Sequence, residues 1–243
     1  MNQTQFDKRF NQSAGASGGR QGFTLVELLV VVAIIILLAA AMFPLMARMS
    51  RAAKATTCTS NLRQVGMAVI TYASDHGNKL PSLQPPVDER TGKRPPIWPV
   101  TVADAGYMWD GEGTLPCGTG TWTCPSSDFV SNAYGGYGVV EGAIFVYGEK
   151  YPIDSKERGS LRLHRIERPG STWLVGDAAL KPENPKRGWY AIWSKPSRWD
   201  GHCPAARHGD KVNICMVDGH VEALTLQQIE ERKLTEEVLK QDE

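Results

Sequence analysis

Residues 22–54 read GFTLVELLVVVAIIILLAAAMFPLMARMSRAAK. From Phe23 to Ala47 the only charge is Glu27, and Leu28 to Leu45 carries none. A helix rising 1.5 Å per residue crosses a bilayer with roughly 20 apolar residues, so this run is long enough to span one. A core helix of a soluble protein rarely stays uniformly apolar beyond about 14 residues. A secretory signal would carry an apolar region of about 7–15 residues before a small-residue cleavage site. Ala39-Ala40-Ala41 mimics such a site, but the run around it is longer. Glu27 is the informative residue, because a carboxylate inside a membrane helix costs about 2.5–3.5 kcal/mol and marks a functional position. No cation lies within the apolar run. The expected partner is therefore a neighbouring chain, or an amine created by cutting just upstream.

Outward from this run, residues 1–22 (MNQTQFDKRFNQSAGASGGRQG) form a polar leader without apolar periodicity. Lys8, Arg9 and Arg20 against Asp7 give it a charge of +2. The whole chain of 243 residues has 27 Lys and Arg, 26 Asp and Glu, and a net charge of +1; without the leader it would be −1. A balance so near zero offers no footprint for nonspecific nucleic-acid binding, and no nucleic-acid partner is expected. The 42% apolar content excludes global disorder.

Gly22-Phe23-Thr24-Leu25-Val26-Glu27, followed by the apolar run, resembles the class III signal of type IV pilins and type II secretion pseudopilins. The resemblance implies that a membrane prepilin peptidase cuts after Gly22 and methylates the new amine of Phe23. Glu27 becomes the fifth residue of the mature chain. Pro44 stands where this family commonly has a helix-bending proline. Phe23, Glu27 and Pro44 are then the assembly residues, with Glu27 of one subunit neutralising the Phe23 amine of the next. The implied partners are the peptidase, other pilin-like subunits and inner-membrane lipid. Flanking cations do not orient the span, since Lys8, Arg9 and Arg20 are matched by Arg48, Arg51 and Lys54. It is the resemblance that puts the leader in the cytoplasm and the remainder on the periplasmic side.

Past the apolar run, Leu62, Val65, Val69 and Tyr72 recur at helical spacing with Arg51, Lys54, Arg63 and Gln64 on the wet side. Asp75-His76-Gly77-Asn78 supplies a stop, with Gly77 suited to the position after the C-cap. The expected architecture is an α+β, pilin-like fold. A membrane helix over 23–47 continues as an amphipathic helix over 48–76 and packs on a C-terminal antiparallel sheet. Residues 77–136 hold eight of the 15 prolines and read as an ordered, irregular loop, with Trp98, Trp109 and Trp122 packing against the head. Residues 137–243 form that head.

Strands of the head are expected at Tyr137–Tyr147, Thr172–Gly176, Trp189–Trp193, Lys211–Val217 and His220–Leu224, within a sheet of about four to six. Asp218-Gly219 between the last two is a hairpin signal of type I′. Thr225 and Gln228 fit a capping box for a final helix. His208, nine further residues and then Asp218-Gly219 resemble the H-X9-DG signature of a large bacterial family of pilin-like proteins. Trp122-Thr123-Cys124-Pro125-Ser126 and the segment Cys58–Gly66 resemble further elements of that family.

Five cysteines, Cys58, Cys117, Cys124, Cys203 and Cys215, lie in what would be an oxidising compartment. Cys203 and Cys215 are the candidate disulfide, and Cys124 is within reach of Cys117 or Cys58. His202, Cys203, His208, Cys215, Asp218 and His220 crowd together in sequence but lack a C-x2-C or H-x3-H pair. Strand alternation would also turn Cys215 and Met216 to opposite faces. Nor do Asp200, Asp210, Asp218 and Glu222 have EF-hand spacing. No cofactor, catalytic residue or assigned metal site is therefore expected, calcium on those carboxylates is left open, and no hydrolase or nucleotide fingerprint is present. The expected function is that of a structural subunit in a type II secretion or type IV pilus-like filament. The alternatives are a membrane-anchored carbohydrate- or surface-binding module using Trp189, Trp193 and Trp199, and a hydrolase or metal protein using the His202–His220 segment.

Overall fold

The computed structural model describes residues 22–84, 96–108, 120–128, 135–145 and 162–235. The chain divides into two units, Met1–Ala47 and Arg48–Glu243. Helix α1, Leu25–Asp75, is 51 residues long and runs from the first into the second.

In the first unit every described residue of the helix is exposed, and these residues are almost wholly apolar. Leu25 is 82% exposed and Phe43 76%. So large an exposed apolar surface requires lipid or another apolar helix around it. Among the described residues this is the one helix long and apolar enough to cross a membrane. Its stretch up to Ala47 reaches about 34 Å, against a hydrocarbon core of about 30 Å. Pro44 lies inside the helix and removes one backbone donor from its ladder.

In the second unit α1 becomes one-sided. Cys58, Leu62, Val65, Val69 and Ala73 are fully buried, at the three- and four-residue spacing of one helix face. The helix ends where Gly77 and Asn78 turn to positive φ, +67° and +63°. A short helix α2, Trp98–Asp104, follows. Its first residue, Trp98, is fully buried and donates its indole N–H to the Tyr190 carbonyl at 2.8 Å. Trp122 is buried as well, so two of the three middle-region tryptophans are packed; Trp109 is outside the described residues.

Among the described residues the sheet has seven strands: β1 Tyr137–Glu141, β2 Trp173–Lys181, β3 Asn184–Gly188, β4 Ala191–Trp193, β5 Cys203–Pro204, β6 Lys211–Met216 and β7 Val221–Thr225. The main order is β4-β1-β2-β6-β7, with β3 and β5 also paired to β2. β2 is central and, at nine residues, the longest strand. The sheet is mixed rather than antiparallel throughout, because β1 and β4 run parallel. A tight turn joins only antiparallel neighbours, and here β2 and β3 intervene in sequence. The two-residue β5 has no alternation to read, which accounts for a strand beyond the expected range. The expected strand from Tyr137 stops at Glu141, where Gly142 takes φ +83° and a turn follows.

Alternation along the strands gives two apolar layers. Val139, Leu174 and Cys215 join α1 in one core. Val140, Ile192, Val212, Ile214 and Met216 form the opposite core with Ile229 of helix α3, Leu226–Glu231. α3 opens with the capping box between Thr225 and Gln228.

The β6–β7 hairpin is real, but its turn differs from type I′. Gly219 sits at φ +88° while Asp218 does not have positive φ. The Gly219 N–H donates to the Met216 carbonyl at 2.9 Å, and Met216 N–H donates to His220 at 2.8 Å. This is a type I turn closed by a glycine bulge. The Asp218 carboxylate holds it by accepting the His220 N–H at 3.1 Å.

Candidate functional site

The two units each hold a constellation of interest. In the first, Thr24 precedes α1 and its Oγ1 accepts the Glu27 N–H at 3.2 Å. Glu27 Oε2 in return accepts the Thr24 N–H at 2.9 Å and its hydroxyl at 2.8 Å. This reciprocal pair is a capping box. Glu27 therefore also has a hydrogen-bonding partner within its own chain one turn upstream, besides the neighbouring chain or new amine expected for it. The signal was in the sequence as Thr-x-x-Glu. Just before it, Gly22 has nothing within 4 Å of where a Cβ would lie, and Phe23 is 78% exposed.

The second constellation is buried in the head. Cys58 of α1, Cys124 of the segment between α2 and β1, Asp177 of β2 and His208 just before β6 meet there. One Sγ, nitrogen or oxygen atom from each lies within 4.8 Å of the others. Cys124 Sγ is 3.4 Å from His208 Nε2. His208 Nε2 is 3.6 Å from Asp177 Oδ2, and Cys58 Sγ is 3.7 Å from the same oxygen. The hydroxyl of Tyr137 donates to Cys58 Sγ at 3.5 Å.

A second ring of contacts fixes these groups. Arg207 Nη1 donates to Asp177 Oδ1 at 3.2 Å, with both side chains almost wholly buried. The same guanidinium donates to the carbonyls of Gly136 at 2.8 Å, Pro185 at 2.7 Å, and Ala178. Gly136 must be glycine here: its φ is +94°, and a Cβ would approach Arg207 Nη1 to 3.1 Å. The Asn213 N–H donates to Asp177 Oδ2 at 3.0 Å. Asn61, one turn along from Cys58, donates its amide to the Thr123 carbonyl at 3.1 Å and so ties the Cys124 segment to α1.

Burial and the close approach of charged groups set the electrostatics of this cluster. Burial, with the nearby Cys124 charge, pushes the Asp177 carboxyl up to about 7, against the pull of Arg207, His208 and the Asn213 N–H. Cys124 is drawn down to about 4, chiefly because Cys58 donates to it, with His208 and Arg207 also lowering it. Cys58, as that donor, is pushed up, and burial adds to the effect.

The expected site residues fall in several places. His208 joins the buried cluster, but Asp218 and Gly219 do not. They sit at the other end of β6, a strand of six residues or about 20 Å. The nine-residue spacing is thus the length of one strand with its flanks, between a buried centre and a hairpin. His202 packs against Trp189 and Trp193 with its ring tilted to both, the centroids 4.8 and 4.9 Å away. His220 pairs with Asp218 and Glu222. The His202–His220 segment is therefore not one site. Trp189, Trp193 and Trp199 are half-buried, and the Trp199 indole donates to the Trp193 carbonyl at 2.9 Å.

Cys203 and Cys215 are both free thiols and cannot pair as placed. Cys203 faces Ala179 of β2 and Cys215 faces Val175, a separation of about 13 Å along the strand, whereas a disulfide needs Cα atoms within about 7 Å. Cys117 is outside the described residues. A group that could hold a metal ion, Cys58, Cys124, Asp177 and His208, was not legible from local spacing because its members come from segments far apart in sequence. Asp177 and Arg207 were missed. The available signal was an aspartate alone in the apolar strand TWLVGDAAL.

Residues 18–43 match the prokaryotic N-terminal methylation motif family. No curated protein and no solved structure matches the chain. The motif is the one carried by type IV pilin-like precursors, and the exposed helix it covers is long and apolar enough to cross a membrane. Processing by a prepilin peptidase and assembly with other pilin-like subunits are implied by that motif.

Proposed function

We propose that the chain is a pseudopilin-like structural subunit of a type II secretion or type IV pilus-like filament. The observation that carries this reading is the methylation motif over residues 18–43, lying on a helix whose apolar surface is uncovered. The peptidase cuts between Gly22 and Phe23 and methylates the Phe23 amine. The leader stays in the cytoplasm, and the second unit is exported to the periplasmic side. Pro44 is the place where the helix bends on assembly.

The capping box bears on how this works. Thr24 keeps its backbone N–H after the cut, so Glu27 stays hydrogen-bonded while the subunit waits in the bilayer. In the filament the cationic Phe23 amine of a neighbour joins the same carboxylate, and that pairing sets the stagger between subunits. N-terminal mass analysis of the mature protein tests the reading. N-methylated Phe23 as first residue is the expected result; an intact Met1, or a cut near Ala41, would sink it.

A further inference from the structure

We propose that Cys58, Cys124, Asp177 and His208 hold one zinc ion, a closed structural centre that fastens α1 to the sheet. The geometry is that of the ion's own coordination shell. Zinc binds sulfur at about 2.3 Å and nitrogen or oxygen at about 2.0–2.2 Å. The edges of such a tetrahedron are therefore about 3.3–3.8 Å long. The three edges measured around one set of atoms are 3.4 Å from Cys124 Sγ to His208 Nε2, 3.6 Å from there to Asp177 Oδ2, and 3.7 Å from Asp177 Oδ2 to Cys58 Sγ. Three of the six edges thus stand at these spacings, and all four ligand atoms lie within 4.8 Å of one another.

The donor set selects the metal. Two thiolates with an imidazole and a carboxylate suit zinc far better than magnesium or calcium, which take oxygen ligands. Four protein ligands leave no open position, so the site is structural rather than catalytic. Charge also closes. On binding, the protons still carried by the two sulfurs and by His208 Nε2 leave to water and one dication enters. Two thiolates and the Asp177 carboxylate then face zinc and the Arg207 guanidinium, and the buried centre is neutral. Arg207 and the Asn213 N–H orient the carboxylate, as outer-shell partners of metal ligands do.

A Cys58–Cys124 disulfide would use only two of the four groups. It gives no reason for an imidazole and a carboxylate to converge on the same sulfurs. The zinc centre gives one, and it also explains why Cys58, Cys124 and His208, each within a separate sequence motif, meet at one point. The inference is independent of filament assembly.

The test uses the full chain, purified in detergent without chelator. The expected result is about one zinc per chain by elemental analysis. Exchange for cobalt(II) should give a thiolate-to-cobalt charge-transfer band in the near ultraviolet. Cys124→Ser should lose that band and bind zinc at least tenfold more weakly, while Cys203→Ser, away from the centre, keeps both. Removing zinc from the wild type should lower Tm by on the order of 10 °C, reversibly. If Cys124→Ser does not fold, the cobalt spectrum of the wild-type chain decides by itself. A native Cys58–Cys124 disulfide found by non-reducing peptide mapping would overturn the proposal. So would a chain with both thiols free that takes up neither ion.

Discussion

Asp177 and Arg207 are a charged pair inside the head, with side chains 0% and 1% exposed. Breaking a buried pair by removing one partner costs about 3–5 kcal/mol, because the other charge is left uncompensated in low dielectric. Asp177→Asn keeps an oxygen for Arg207 to donate to, so the low end applies. The expected loss is about 3 kcal/mol, or a Tm lower by about 6–12 °C. A near-ultraviolet circular dichroism melt of the metal-free chain reads it, apart from any effect on metal binding, with Asp210→Asn on the exposed loop as the silent control. No rule of sequence patterning could have found this pair. An aspartate in an apolar strand announces that something must neutralise it, but not that the partner lies 30 residues downstream.

His220 offers the opposite case, a pair in partial contact with water. Hydrogen bonds to Glu222 and Asp218 hold its imidazolium above the ordinary histidine range. Glu222 is held below the usual carboxylate range by His220 and then by Arg232 of the segment after α3. A raised histidine stabilises fully below its unfolded value near 6.5 and loses that stabilisation as pH rises through its folded value. A lowered carboxylate stabilises above about 4 and loses it on acidification. The cluster therefore contributes most between about pH 4.5 and 6.5. His220 is 40% exposed, which limits the contribution to about 0.2–1 kcal/mol. His220→Gln should lower Tm by about 1–3 °C at pH 5.5 and by nothing measurable at pH 9. A difference that persists undiminished at pH 9 would mean the ring acts by packing.

At the scale of elements, α1 lies against β6 at one very close contact. A Cβ on Gly66 would come within 2.4 Å of Cys215 Sγ. Gly66→Ala must push the helix and strand apart, at about 2 kcal/mol. Cys215→Ala removes the obstructing sulfur and costs about 1 kcal/mol as a small cavity. The double variant should be more stable than the sum of the two losses, with a coupling of about 1 kcal/mol. Strict additivity in denaturation midpoints would show that the contact is not the cause.

This contact also shows where reading stops. The buried face of α1 was legible because apolar residues recur at helical spacing, so Leu62, Val65 and Val69 could be named. Gly66 on that face carries no apolar signal, and only the strand packed over it gives its reason. The spacing from His208 to Asp218 was visible as a number. Its meaning needed β6, whose register against β2 and β7 fixes how far the buried centre lies from the hairpin. The parallel pairing of β1 with β4 was illegible for a related reason: it joins segments with two other strands between them.

For the whole molecule the decisive question is what Glu27 does once subunits meet. In the proposed filament it has two jobs: capping α1 through Thr24 and receiving a neighbour's Phe23 amine. The two can be separated. Thr24→Ala removes the hydroxyl half of the capping box and should cost about 1 kcal/mol of local helix stability, yet it leaves the carboxylate in place. Glu27→Ala removes both cap and charge. A Phe23 amine facing that position in hydrocarbon would then lack its counterion, at about 3–5 kcal/mol per interface. Repeated at every subunit, that loss should stop assembly. Both variants should still insert and be cut after Gly22, because the apolar run and the cleavage position are untouched. The expected outcome in a sheared-filament fraction is incorporation of Thr24→Ala within about twofold of the wild type, and loss of Glu27→Ala by more than about tenfold. Equal defects in both would make Glu27 a helix cap and nothing more. Normal incorporation of Glu27→Ala would remove the carboxylate from the assembly mechanism altogether.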